Sequence, residues 1–401
     1  MPQPEILLSI CVPTFNRQFL LERNVAFHLQ AFRGLGISFE LVLVDDCSTD
    51  ETASYLASLS PEPEVSCYRR RRNSGFLSNY AFAMRRARGR YAVFLGDDDL
   101  LIPDKVVEYI RIMEHDRKIG MVQAPWLLVD ARPGGGDMSP FYSLSSPVRH
   151  RKGDFRALLQ FILDRHVFPE FLIVRRDVLD QSISSATPFI FWAFLFTARA
   201  LNRADVLFMP EPFARVTAIS DDPRMQQGNK ECMFQWDTYR GGLEYIASQM
   251  YRSEQSTEDD RSALIGSVMR FMAIRQSVAL RLLIQSRRWV EAYVLYHRMA
   301  AYQPVTQEGF SLEVVRTLAA VTVAATEAGD YSDGLAIVDP ALDDEILAEL
   351  TPELLQRLTR DLPPPEGREP RAWLRVSSDF GEPVQAGDVV FDVPSYLQQF
   401  F

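Results

Sequence analysis

The chain is poor in the residues that build metal clusters and disulfide frameworks: its 401 residues include four cysteines, Cys11, Cys47, Cys67 and Cys232, and five histidines. The cysteines lie far apart with no CxxC pair, which argues against structural zinc and against a disulfide-stapled scaffold. Both glycine-rich phosphate loops are missing, since no GxGxxG follows a strand and no GK precedes Ser or Thr. Positive charge is in deficit, 43 Lys and Arg against 53 Asp and Glu, and the net charge of -10 argues against non-specific nucleic-acid binding. No basic segment leads into a long apolar stretch after Met1, so no signal peptide is expected. The longest apolar run in the middle of the chain, Pro188 to Ala198, is too short to span a bilayer. A cytoplasmic location is the expectation.

With 47% hydrophobic residues, the chain can support one large core or two to three domains. Phenylalanine is abundant at 26 residues, which suggests a thick aromatic core or an apolar groove. The first hundred residues repeat one pattern: an apolar run, a polar turn, then a helical spacing of apolar residues. The runs are Ile6 to Val12, Phe39 to Val44, Val65 to Tyr68 and Tyr91 to Leu95; the helices are Arg17 to Leu29, a segment through Leu59 capped by Ser48 and Glu51, and Leu77 to Arg88. This alternation predicts an α/β fold with a mostly parallel sheet covered on both faces, whose ligands sit beyond the carboxyl ends of the strands.

Polar clusters fall at those ends: Pro13 to Arg17, Asp45 to Ser48, and Asp97, Asp98 and Asp99 after Gly96. Three adjacent aspartates repel one another and need a counter-charge, for which a hard divalent cation with oxygen ligands is the usual choice. An acidic turn capping the helix that opens at Pro103 is the plainer alternative. Arg69 to Arg72, just before the turn at Asn73, Ser74 and Gly75, would suit a diphosphate in the same crevice or form a solvated basic face.

The stretches ICVPTFNR (Ile10 to Arg17), ELVLVDDCSTDET (Glu40 to Thr52), RNSGFLSNYAFAMRRARGRYAVFLGDDD (Arg72 to Asp99) and the following LLIPDKV occur in order over the first quarter of the chain. In them the chain resembles a family 2 glycosyltransferase of the GT-A fold. The resemblance implies an inverting, hexosyltransferase-type enzyme that takes a nucleotide-sugar donor, usually a UDP- or dTDP-sugar, with Mn²⁺ or Mg²⁺. The acceptor stays open among glycan, lipid-linked, peptide and small-molecule classes. Residue by residue, it implies that Pro13, Thr14 and Asn16 border the base and ribose and that Asp46 meets the base. Arg72, Asn73 and Gly75 would lie near the nucleotide, and Asp97 and Asp98 would hold the donor, with Asp97, Asp98 and Asp99 as metal ligands. The family pattern often begins with a further Asp where this chain has Gly96, which leaves open which of the three aspartates act.

The resemblance breaks at the acceptor side. The family's base is typically an Asp in a Glu-Asp-Trp-like motif at the start of a helix, and the matching stretch here is Ile190-Phe191-Trp192. Three readings follow: the base comes from elsewhere, the acceptor arrives nearly ionised, or the chain binds a nucleotide sugar without transferring it, as a scaffold. Asp221 and Asp222 are the first choices for a relocated base, with Glu211, His150 and His166 behind them.

Between these regions, Ile119 to Val129 reads as a strand and Arg132 to Pro147 as a loop, either closing over a ligand or lying on the surface. Helix Asp154 to Leu163, strand Phe171 to Val174, helix Phe189 to Leu201 and strand Val206 to Met209 follow. Beyond Asn229 the patterning is helical, and Trp289 to Tyr302 with Ala328 to Val338 has the look of tetratricopeptide-type helix pairs without a 34-residue period. That region is expected to place an acceptor, make a homodimer contact, or brace the sheet. The expected division is a GT-A domain over 1–225, a helical domain over 226–362, and a linker with a β-containing tail over 363–401. In that tail, Arg371 to Val376 and Asp388 to Val393 are expected to pair across a turn near Gly387.

Overall fold

The computed structural model describes residues 5–184, 189–222, 225, 233–253, 257–302, 305, 311–331, 336–339, 342–360, 372–375 and 388–400. The chain divides into two compact units, 1–271 and 272–401.

The apolar runs of the N-terminal region are strands β1 (Leu8–Thr14), β2 (Phe39–Asp45), β3 (Val65–Arg69) and β4 (Tyr91–Phe94). β1, β2 and β4 are buried along their whole length, which is why they read as unbroken apolar stretches instead of alternating ones. Helices α1 (Gln18–Gly34), α2 (Thr52–Ser58) and α3 (Phe76–Arg86) connect them, so that β1–β2, β2–β3 and β1–β4 pair in parallel. The capping box expected at Ser48 and Glu51 does not form. Glu51 is the N-cap of α2 without a side-chain hydrogen bond, and Ser48 is drawn into the β2 loop instead.

The first unit continues with β5 (Leu100–Leu101), α4 (Pro103–His115), β6 (Ile119–Gln123), β7 (Leu127–Asp130), β8 (Asp137–Pro140), β9 (Val148–His150), α5 (Phe155–Arg165), β10 (Leu172–Arg175), α6 (Arg176–Ser182), α7 (Trp192–Leu201), β11 (Asp205–Phe208), β12 (Ala214–Ile219) and α8 (Trp236–Ser253). The main sheet has eight strands in the order β3-β2-β1-β4-β10-β6-β11-β9, with β10 antiparallel to both of its neighbours. A smaller sheet has the order β5-β12-β7-β8. Two expectations are corrected here. The single strand at Ile119 to Val129 is two strands in different sheets, and part of the loop at 132–147 is the edge strand β8, antiparallel to β7. α8 packs against α5 and α7, so the first unit runs past the boundary expected at residue 225.

α9 (Glu258–Gln285) carries the division between the units. It is also the one described helix long and apolar enough to cross a membrane by length and composition, with a mean hydropathy of 1.2 over its best window. Core helices pass the same test. The second unit holds α10 (Trp289–Ala300), α11 (Leu312–Tyr331), β13 (Ala336–Val338), α12 (Asp344–Ala348), α13 (Pro352–Leu355), β14 (Leu358–Thr359), β15 (Ala372–Arg375), β16 (Val389–Asp392) and α14 (Val393–Gln399). α10 and α11 do pack as a pair. The buried face of α11, from Ala320 to Ala325, however, shares a core with Val338 of β13 and Leu374 of β15, so the pair leads into a sheet and not into a further repeat. That sheet, β14-β13-β15-β16, is parallel throughout. The tail strands therefore pair, but in parallel, where a turn between them would have made them antiparallel. The linker expected from residue 363 and the turn near Gly387 lie outside the described residues.

Candidate functional site

Because β1, β2 and β4 are parallel neighbours, the segments after Thr14, Asp45 and Phe94 emerge at one edge of the main sheet. There the Thr14 hydroxyl donates to Asp97 Oδ2 at 2.7 Å. The Arg17 guanidinium spans two carboxylates, reaching Asp97 Oδ1 at 2.6 Å and Asp98 Oδ2 at 2.7 Å. Burial alone would lower the Arg17 pKa, but Asp97 and Asp98 outweigh it and hold the cation firmly charged. Part of the counter-charge that the three aspartates demand is thus a protein cation four residues from Pro13.

The loop after β1 is tied to the loop after β2. Asn16 and Cys47 both adopt left-handed backbone conformations, φ 54° and 67°. The Asn16 amide donates to Ser48 Oγ at 2.8 Å, and Asn16 Oδ1 accepts from the Thr49 amide at 2.7 Å. Ser48 in turn donates to Asp45 Oδ1 at 2.5 Å. Asn16, expected beside the donor, spends its side-chain carbonyl on shaping this edge.

α1 fixes the aspartate loop from below. Asn24 Nδ2 donates to the carbonyls of Asp99 (2.7 Å) and Gly96 (3.2 Å). His28 Nε2 accepts from the Leu101 amide at 3.1 Å, which leaves Nδ1–H to donate to the Asn24 carbonyl at 2.7 Å. This is a neutral, fully buried imidazole, and burial lowers its pKa from 6.5 to about 4. Since the folded value lies below the unfolded one, the histidine's share of stability is intact above pH 6.5 and is lost as the pH falls towards 4. At pH 4.5 the loss is expected to be about 2–3 kcal/mol. Chemical denaturation of wild type and a His28→Gln variant at pH 7.5 and 4.5 measures it; equal pH dependence in both would show that His28 does not hold the loop in neutral form.

Asp46 lies buried between the edge and the arginines. Its Oδ2 accepts from the Ser74 amide at 2.9 Å, while Oδ1 has no hydrogen-bond donor and Arg70 Nε stands 3.9 Å away. Arg69 is turned to Asp45 (3.3 Å) and to the Ser48 carbonyl (2.9 Å), and Arg70 donates to the Ser78 carbonyl (2.9 Å). Arg70, Arg71, Arg72, Asn73, Ser74 and Ser78 line a cleft of about 580 Å³, in which Arg71, Arg72 and Asn73 are exposed. Gly75 then caps the entry to α3 at φ 78°. Within the run of arginines, Arg69 braces the acidic loop, Arg71 and Arg72 face the cleft, and Arg70 does both.

Three carboxylates against one guanidinium leave negative charge uncompensated. Burial first, and Asp98 beside it, push Asp97 up to about 7 despite Arg17. Asp99 is raised well above the ordinary range by burial and by Asp98 and Asp97. A Cβ added at Gly96 would come 2.7 Å from Asp99 Oδ2 and 3.1 Å from Asp98 Oδ1. Two carboxylates fold over this glycine, so a side chain there would have to displace them. Among the described residues, no three His, Cys, Asp or Glu side chains are set around a common metal position. Thr14 and Arg17 engage Asp97, Arg17 also engages Asp98, and the Asp98 and Asp99 carboxylates lie together over Gly96 as a cradle. Such a cradle fits a cation that takes its other ligands from water and substrate phosphates.

The side on which the resemblance places the acceptor is aromatic. Trp192 packs on Tyr80 (4.7 Å) and Phe94 (5.3 Å), next to the aspartate loop. Phe191 is buried against Tyr239 of α8 (4.5 Å) and Phe194 (5.3 Å), and its amide donates to the Thr238 carbonyl at 2.8 Å. The position expected to hold a base is sealed inside a ring cluster. Asp221 and Asp222 occupy the turn after β12, where Asp221 lies within reach of the Arg132 charge. The strand carries the chain from Arg215, opposite Leu100, to Ile219, opposite Asp130, roughly 13 Å further on. Glu211 pairs with Lys105, His150 is enclosed by Phe161 and Phe208, and His166 stacks on Phe271. Sequence reading assigned no role to Arg17, Asn24 or His28, although Arg17 stands in the ICVPTFNR stretch and the helical spacing puts Asn24 and His28 on one face.

The model of the family described as Glycosyl transferase family 2 matches residues 9–182. An undecaprenol-linked GalNAc(5)-diNAcBac β-1,3-glucosyltransferase of Campylobacter jejuni is 36% identical over 98 residues, 24% of this chain and 30% of that protein. An uncharacterized glycosyltransferase of Haemophilus influenzae is 28% identical over 120 residues, 30% of this chain and 38% of that protein. The chain thus spans about a third of the length of these relatives. A crystal structure of S. aureus TarS 1-349 superposes with a TM-score of 0.45 at 15% identity, covering 74% of this chain and 89% of that one. The stretch that matches the glycosyl transferase family 2 model is thus the one that carries the aspartate loop, the Asp46 loop and the arginine-lined cleft.

Proposed function

We propose that the chain is a metal-dependent, inverting glycosyltransferase that takes a UDP- or dTDP-sugar. The observation that carries this reading is the joining, through buried Asp46, of the arginine-lined cleft to the edge that holds Asp97, Asp98 and Asp99. Pro13, Thr14 and Asn16 would border the nucleoside and Asp46 would orient the base. Arg72, Asn73 and Gly75 would flank the nucleotide, with the phosphates running from the cleft to Asp97 and Asp98. Mn²⁺ or Mg²⁺ would sit at Asp98 and Asp99 and supply positive charge as the nucleoside diphosphate departs. Arg17 holds Asp97 and Asp98 in place for that task.

Titration calorimetry of UDP and dTDP, with Mn²⁺ and with chelator, tests it. Affinity for at least one nucleotide is expected to rise ~10-fold or more with Mn²⁺, and Asp98→Asn is expected to remove that gain. Binding unchanged by chelator and by the substitution would remove the metal from the reading, and no binding would remove the donor. The enclosed Phe191 favours a second reading, a nucleotide-sugar-binding protein without transfer. Slow hydrolysis of a nucleotide sugar to free sugar and nucleoside diphosphate separates the two, because it needs no acceptor other than water.

A further inference from the structure

If the chain transfers sugar, a group must take the proton of the attacking hydroxyl, and the position that would hold it is closed by Phe191. β10 runs antiparallel to β4 with Ile173 opposite Val93 and Arg175 opposite Tyr91. Because the two strands run in opposite directions, the segment that leads into β10 and holds Glu170 lies at the end of the sheet from which β4 passes into the aspartate loop. Glu170 is half-buried, and its charge lies within electrostatic reach of Asp99 and of the enclosed Tyr142.

Its backbone is held on both sides by rings. Phe168 packs on Phe191 (6.3 Å) and Phe194 (5.8 Å), and Phe171 on Trp126 (5.3 Å). Between them, the Glu170 amide donates to the Phe168 carbonyl at 3.0 Å, turning the chain just before the strand. The segment that carries Glu170 is thus anchored two residues away by a ring that packs on Phe191. It is not part of any three-residue set that could hold a metal among the described residues.

We propose that Glu170 is the acceptor-side base of this domain. The inference rests on the glycosyltransferase reading above. In the reaction, the acceptor oxygen forms its bond to the anomeric carbon while its proton passes to the Glu170 carboxylate. The bond from that carbon to the diphosphate breaks, and the nucleoside diphosphate leaves with the electron pair and one more negative charge. Base catalysis of this kind is worth ~10² to 10⁴ in rate.

The experiment uses the full chain, Mn²⁺ and a panel of UDP- and dTDP-sugars, with water as acceptor. For whichever donor the wild type hydrolyses, Glu170→Gln is expected to lower the rate at least ~100-fold while UDP or dTDP affinity stays unchanged. Glu170→Ala is expected to be partly restored by added formate, which a merely structural role would not allow. A Glu170→Gln variant as active as wild type overturns the assignment and leaves the glycosyltransferase reading standing. Loss of Mn²⁺-dependent nucleotide affinity in that variant also overturns it, by making Glu170 a donor-site residue. A wild type that binds nucleotide but turns over no donor overturns both readings.

Discussion

Replacing Arg17 by Met is expected to cost the folded protein about 3–5 kcal/mol, the usual loss when one partner of a buried ion pair is removed and the other is left behind. Arg17 is largely buried where it meets Asp97 and Asp98, and it is the cation that the structure places between them. Without it, Asp97 keeps only the Thr14 hydroxyl as a named donor among side chains, and Asp98 and Asp99 face each other across Gly96. The loss should shrink when Mn²⁺ is added, because a cation at Asp98 and Asp99 replaces part of the missing charge. At ~100 times its dissociation constant, bound Mn²⁺ returns about 2.7 kcal/mol. Urea denaturation of wild type and Arg17→Met, each with Mn²⁺ and with chelator, reads both effects. A variant as stable as wild type under both conditions would show that the aspartates need no protein counter-charge.

A second large effect is expected at Gly241, where α8 crosses the start of α7. A Cβ there would lie 1.9 Å from the Phe189 carbonyl oxygen, a backbone atom that cannot swing aside. Gly241→Ala is therefore expected to destabilise the first unit by about 3 kcal/mol or more, at the severe end for overpacking. Gly266 in α9 is the matched control: its Cβ would meet only the end of the Arg270 side chain, at 3.6 Å. Gly266→Ala should stabilise by about 0.5–1 kcal/mol through helix propensity alone. Thermal unfolding of the two variants should show opposite signs. A harmless Gly241→Ala would mean that α8 does not lie against Phe189, and the closure over Phe191 would fall with it.

That closure matters for function because it turns a missing residue into a sealed position. Phe191 has no capacity for proton transfer, and Tyr239 and Thr238 of α8 cover it. Asp221 and Asp222, the first choices from sequence, lie at the end of β12 near Arg132, a location that no local pattern could have indicated. Glu170 reads in the sequence as one acidic residue between Pro169 and Phe171. Only the antiparallel insertion of β10 beside β4 lifts it to the edge where the aspartates stand.

The sequence by itself determined the first half of the sheet and the aspartates at its edge. Strands buried on both faces must be apolar at every position, so β1, β2 and β4 announce themselves without reference to any partner, and the polar residues that end them are marked by the break. The tertiary structure decided the rest. β5, β12, β14 and the tail strands are two to six residues long and exist through the neighbours they pair with, so their propensity is too weak to read alone. The meeting of Asp98 and Asp99 over Gly96, the cation at Arg17 and the place of Glu170 ahead of β10 each depend on which residues are set opposite one another across strands or loops. Such pairings are fixed by hydrogen-bond register and burial over distances of 80 residues and more in the chain, as between Arg17 and Asp97, and leave no local trace in the order of amino acids.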